Sequence, residues 1–187
     1  RIPFLLKIGI LLSEKITGKK MLPARLLAWS PKTAIGSGIL ESLVVHKDQT
    51  LSERMLKLVR MQTSFFVSCP FCIDMNSLDY QELNITDDEI IALQGKSSMN
   101  GVDSFTEREI VAMEYVKLIS QTPLSFSHDF IEKLKGLFTE REIVVLAATV
   151  AQVNYWARLI QALGIPPAGF SSECSILELE QYQTLKE

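Results

Sequence analysis

Four times along this chain a threonine stands three residues ahead of a glutamate, just before a run of apolar residues. The segments are Thr50-Leu-Ser-Glu53, Thr86-Asp-Asp-Glu89, Thr106-Glu-Arg-Glu109 and Thr139-Glu-Arg-Glu142. This is the capping box, in which the threonine hydroxyl accepts a backbone N–H three residues on and the glutamate reaches back to the threonine N–H. The next residues fall at helical spacing: Met55, Leu56, Val59 and Phe66; Ile90, Ile91 and Leu93; Ile110, Val111, Tyr115 and Leu118. Stop signals agree, with Gly95 ending the third helix and Gly164 before Pro166-Pro167 ending the longest. Weaker helical patterns cover about 4–16, about 23–46 with Pro31 and Gly36 interrupting, 126–137 and 173–185. No segment alternates with period two between turn dipeptides, so the expected class is all-α, built from antiparallel helices. Phe105-Thr-Glu-Arg-Glu-Ile-Val111 recurs as Phe138-Thr-Glu-Arg-Glu-Ile-Val144, but the residues after the two copies differ. They read as two strong helix starts, not as a solenoid, which needs at least three units.

Within this helical chain lies Cys69-Pro70-Phe71-Cys72, which holds two of the three cysteines. Pro70 suits the first turn of a helix, where its missing N–H costs nothing, and that puts Cys69 at or near the N-cap. Free backbone N–H groups and the positive end of the helix dipole favour a thiolate there. Cys72, three residues on, shares the face and can close a disulfide. Such a pair takes up and returns two electrons without a bound cofactor. Asn76 continues the same face, with Asp79 and Tyr80 a turn beyond. A zinc site would need two further ligands, and Cys174, His46 and His128 are not paired at ligand spacing. Cys174 reads as a free thiol, and the two histidines as helix-end or loop residues. A Cys-Pro-aromatic-Cys motif also occurs in glutaredoxin-like proteins, but these require a βαβ pattern that is absent here.

Composition sets the context. A chain of 187 residues suits one domain. Its 47% hydrophobic content is on the high side, which leaves apolar surface for another subunit to cover. With a net charge of −3 and no basic run longer than Lys19-Lys20, nucleic acid is not an expected partner. Three cysteines are too few for a secreted disulfide scaffold, so a reducing, cytoplasmic setting is expected. Ile2 to Leu12 is short, is interrupted by Lys7 and has no small-residue cleavage signature after it. Ile143 to Val153 is too short for the roughly 18 residues of a membrane span and is expected to be a buried helix.

Three stretches together resemble the carboxymuconolactone decarboxylase superfamily, in its alkylhydroperoxidase D-like branch. They are Leu51-Ser-Glu-Arg-Met-Leu-Lys-Leu-Val59, Cys69-Pro-Phe-Cys-Ile-Asp-Met-Asn76 and Thr86-Asp-Asp-Glu-Ile-Ile-Ala-Leu93. Phe138 to Leu146, Asn154-Tyr-Trp-Ala-Arg158 and Ala162-Leu-Gly-Ile165 resemble that superfamily's second conserved helix. The resemblance implies a helical domain over 23–168, flanked by an N-terminal extension (1–22) and a C-terminal tail (169–187). It also implies assembly as trimers or hexamers, and reduction of a small hydroperoxide at the expense of a dithiol. In that scheme Cys72 attacks the O–O bond and Cys69 resolves the sulfenic acid, whereas the helix-terminus argument favours Cys69 as the more acidic thiol.

The family's proton relay uses a Glu and a His at positions that here hold Lys57 and Asn76. Lys57 can lower a thiol pKa through its charge, and Asn76 can hydrogen-bond without shuttling a proton. Glu53, one turn earlier, either reaches the site or serves Thr50 as a capping partner. Asp79 is the candidate acid–base substitute. Two other functions compete with a peroxidase. One is a redox-sensing or interaction module without turnover. The other is a lactone-handling decarboxylase, a branch that lacks the cysteine pair.

Overall fold

The structure, a computed structural model, describes residues 3–42 and 47–171. His46, Cys174 and the helix expected over 173–185 lie outside the described residues. Those described form helices joined by turns, with no strand. In chain order they are α1 (Phe4–Thr17), α2 (Leu22–Leu27), α3 (Pro31–Ser42), α4 (Glu53–Phe66), α5 (Pro70–Asn76), α6 (Asp87–Leu93), α7 (Glu107–Ser120), α8 (His128–Leu137) and α9 (Glu140–Ala162). Short 3-10 turns at Tyr80–Leu83 and Met99–Gly101 flank α6.

Thr86, Thr106 and Thr139 each form the full capping box at the start of α6, α7 and α9. The fourth does not form. Asp48 accepts the N–H and hydroxyl of Thr50 and the N–H of Leu51, which holds Thr50 in the preceding turn. Ser52 is the N-cap of α4 instead, accepting the Met55 N–H at 3.1 Å. Glu53 becomes the first helical residue and pairs with Lys47 at 2.9 Å. Gly36 does not interrupt α3. Pro31 opens that helix, and the turn around Gly36 is held by Ser37, which is buried and hydrogen-bonded to the Tyr155 hydroxyl at 2.7 Å.

The capping glutamates have a second use. Arg54 of α4 pairs with both Glu89 and Glu109, and Ser104 donates to Glu89 at 2.6 Å. Burial works to raise the Glu89 carboxyl, but Arg54, Ser104 and the Thr86 N–H outweigh it and hold it below the ordinary carboxylate range. Arg108 of α7 pairs with Glu142 of α9 at 2.8 Å and lies over the Phe138 ring at 4.6 Å. The N-termini of α6, α7 and α9 are thus tied to neighbouring helices through the residues that start them.

The core lies between α4, α7 and α9. Leu56, Leu58, Val59 and Met61 pack with Val111, Met113, Leu146 and Val150. By length and composition α9 is apolar enough to cross a bilayer. In this fold it is a core helix, burying Leu146, Thr149, Val150, Val153, Ala157 and Ile160 as it packs against α4, α5 and α7. The 33-residue echo is two well-capped starts, of a 14-residue and a 23-residue helix. The layer of α1, α2 and α3 covers the end of the bundle that carries α5, and Gln152 of α9 donates to the Leu40 carbonyl at 3.1 Å.

Candidate functional site

The Cys69–Cys72 pair sits where α4 turns into α5. After Phe66 the chain reverses through Ser68 in a left-handed conformation, and the Cys69 N–H donates to the Ser64 carbonyl at 3.2 Å. Cys69 is the N-cap of α5, with its sulfur accepting the Cys72 N–H at 3.2 Å, and Pro70 occupies the first helical position. The two sulfurs are joined as a disulfide with Cα atoms 5.2 Å apart. The environments of the cysteines differ. Cys69 is 0% exposed, packed with Phe71, Ala157, Ile160 and Ile165. Cys72 is 3% exposed, and it lines a cavity of about 770 Å³.

That cavity lies between the α1–α3 layer and the bundle, and its wall is mostly apolar. Lys57, Asn76, Glu53 and Asp79 all line it together with Cys72, so five of the six candidate residues share one space and Cys69 lies behind it. Asn76, the last residue of α5, donates from Nδ2 to Ser64 Oγ at 3.0 Å, and Ser64 in turn donates to the Arg60 carbonyl at 2.8 Å. Lys57 is half-buried and donates to the Leu78 carbonyl. Burial, with Arg60 adding like-charge repulsion, pulls its amine down to about 8 against the opposing charges of Asp79 and Glu82.

Asp79 is not on the cysteine face of α5. The helix stops at Asn76, and Asp79 sits in a left-handed conformation ahead of the Tyr80–Leu83 turn, reaching the cavity rim from the loop. Asp tolerates that conformation because its short polar side chain can hydrogen-bond locally. His128 opens α8 and does not line the cavity. Among the described residues no group of three His, Cys, Asp or Glu side chains is placed to hold a metal.

Sequence reasoning missed three residues here. Arg60 is buried and lines the cavity, and desolvation lowers its guanidinium to about 10 against the opposing charge of Glu41. Its signal was present: Glu53, Lys57 and Arg60 lie along one face of α4 at steps of four and three. Glu41 reaches the same cavity from α3, and burial raises its carboxyl, opposed by Arg60. Asp74 is fully buried on the other side of α5. Its carboxylate accepts the N–H groups of Ala168, Gly169 and Ser171 at 2.8, 2.8 and 2.7 Å. Gly169, at φ 75°, supplies the left-handed turn that brings three donors onto one carboxylate.

Comparison with known proteins agrees with this geometry. No family model matches the chain. The uncharacterized protein YnjA of Escherichia coli K12 is 23% identical over 169 residues, which span 90% of this chain and 91% of that protein. The alkylhydroperoxidase AhpD core of an uncharacterized peroxidase-related protein from Ralstonia eutropha JMP134 superposes with a TM-score of 0.71 at 15% identity. It covers 92% of this chain and 88% of its own. The debrominase Bmp8 superposes with a TM-score of 0.73 at 16% identity, over 94% and 92% of the two chains. The chain therefore has the alkylhydroperoxidase D-like fold, with a Cys-x-x-Cys disulfide at the start of a helix.

Proposed function

We propose that the protein is a two-cysteine peroxidase that reduces small organic hydroperoxides at the expense of a dithiol in a reducing cytoplasm. The observation that carries this reading is the placement of Cys72 on the wall of an apolar cavity that Lys57 also lines, with Cys69 bonded to it from behind. In the reduced protein the Cys72 thiolate attacks the terminal peroxide oxygen. An S–O bond forms, the O–O bond breaks, and the alkoxide leaves with a proton taken from the Lys57 ammonium. Cys69 then displaces hydroxide from the Cys72 sulfenic acid, giving the disulfide and water. A dithiol restores both thiols by exchange. The balance is one hydroperoxide and one dithiol converted to one alcohol, one water and one disulfide.

Asn76 and Arg60 order the polar side of the cavity, Asp79 and Glu82 counter the charge of Lys57, and Glu53 lines the same space while paired with Lys47. Both cysteines are buried, and the lining of the cavity by Cys72 alone of the pair supports Cys72 as the attacking sulfur. A peroxide entering the cavity meets Cys72, whatever acidity the helix terminus confers on Cys69.

The test is turnover of an alkyl hydroperoxide with dithiothreitol. Wild-type protein is expected to consume it, and Cys72→Ser to be inactive. If wild-type protein consumes no hydroperoxide with any dithiol tried, the reading fails. Reductive dehalogenation is a second reading, favoured by the structural likeness to a debrominase. The same dithiol would convert an aryl bromide to the arene, bromide, a proton and the disulfide. Bromide release from a bromopyrrole without hydroperoxide turnover would select it.

A further inference from the structure

We propose that the outward face of α1–α3 is a docking surface for an anionic lipid bilayer. Helix α1 is apolar on two opposite sides. Leu6, Gly9, Ile10 and Ser13 face the cavity. On the other side Phe4, Ile8, Leu11, Leu12 and Ile16 form an exposed stripe, with Phe4 75% and Ile16 77% exposed. Trp29, after α2, is 81% exposed, and Ile35 and Ile39 continue the apolar surface along α3. Over half of the exposed large apolar side chains among the described residues fall between Phe4 and Ile39. Such a concentration of exposed apolar side chains on one layer marks a binding face.

Charge indicates the occupant. Of 19 Lys and Arg and 22 Asp and Glu, seven and two respectively fall in residues 1–42, which leaves 12 and 20 for the rest of the chain. A strongly cationic layer therefore sits on an acidic body. Lys7, Lys15 and Lys20 are exposed on the layer, and neither of its two acids is free on the outward face: Glu14 is engaged by Arg25 at 2.6 Å, and Glu41 lines the cavity. An apolar helical stripe with aromatic residues near its ends and lysines along it is the chemistry of a helix lying in a bilayer interface, held by anionic headgroups. A second copy of the chain is the rival occupant. Two-fold pairing through this face would set the same cations against one another.

The test is flotation of the full-length chain with vesicles of phosphatidylcholine alone or phosphatidylcholine with phosphatidylglycerol. The protein is expected to float with the anionic vesicles and not with the neutral ones. Each lysine contributes about fivefold, so Lys15→Gln combined with Lys20→Gln should weaken binding about 25-fold. Both positions are exposed, and unchanged helicity by circular dichroism would show that the variant folds. With Trp156→Phe, emission from Trp29 should shift to the blue on binding. Three results overturn the proposal: no flotation of wild-type protein with anionic vesicles, equal flotation of the double variant, or a wild-type oligomer that Leu11→Glu dissociates while neither form binds vesicles.

Discussion

An amine that titrates near pH 8 in the same cavity as a cysteine changes what that cysteine can do over the physiological range. Lys57 is held at about 8, chiefly by burial in the cavity wall. Below that value it is an ammonium, able to favour the Cys72 thiolate and to supply the proton an alkoxide needs; above it both abilities fade. The rate of hydroperoxide-dependent disulfide formation is therefore expected to fall as pH rises through about 8. Lys57→Gln should remove that alkaline limb and slow the reaction about 100-fold. Lys57→Arg should keep the charge and carry activity to higher pH. A wild-type profile flat from pH 7 to 9 would contradict this role. Helical spacing from the cysteines made Asn76 legible in the sequence, and the family resemblance, through its relay positions, pointed to Lys57. The value near 8 was not legible, because it arises from walls contributed by several helices.

Among the elements, α5 is short and depends on what holds its ends. Its start is fixed by Cys69 and Pro70, and both were readable from residue type. Its other anchor is Asp74, whose three partners are about 95 residues away in sequence and left no local trace. Asp74→Ala leaves three N–H groups without their carboxylate. It is expected to cost about 3 kcal/mol in denaturant unfolding and to remove hydrogen-exchange protection at Ala168, Gly169 and Ser171. Loss of protection spread evenly over the bundle would contradict a local clamp. The capping boxes show the same limit. Three formed as the pattern implied, while Thr50 lost its role to Asp48 and Ser52, because an upstream carboxylate competed for its N–H and hydroxyl. The end of α5 at Asn76, which moved Asp79 into a loop, had no glycine or proline to announce it.

For the whole molecule, the helical class and the place of the cysteine pair were legible because each rests on short-range chemistry: caps, period and a proline at a first turn. The cavity was not. It exists because α1–α3 cover the bundle without filling the space above α5, and its lining is drawn from residues spread between Leu6 and Ile160. The cavity also sets the two cysteines apart, since Cys72 lines it and Cys69 does not, a distinction that no spacing argument contains. The central claim is that Cys72, and not Cys69, meets the oxidant. The most direct measurement treats reduced single variants with one equivalent of alkyl hydroperoxide, traps sulfenic acid with dimedone and locates it by peptide mass spectrometry. The account predicts the adduct on Cys72 in Cys69→Ser protein and none in Cys72→Ser protein. An adduct on Cys69 in the latter, formed as fast, would contradict it.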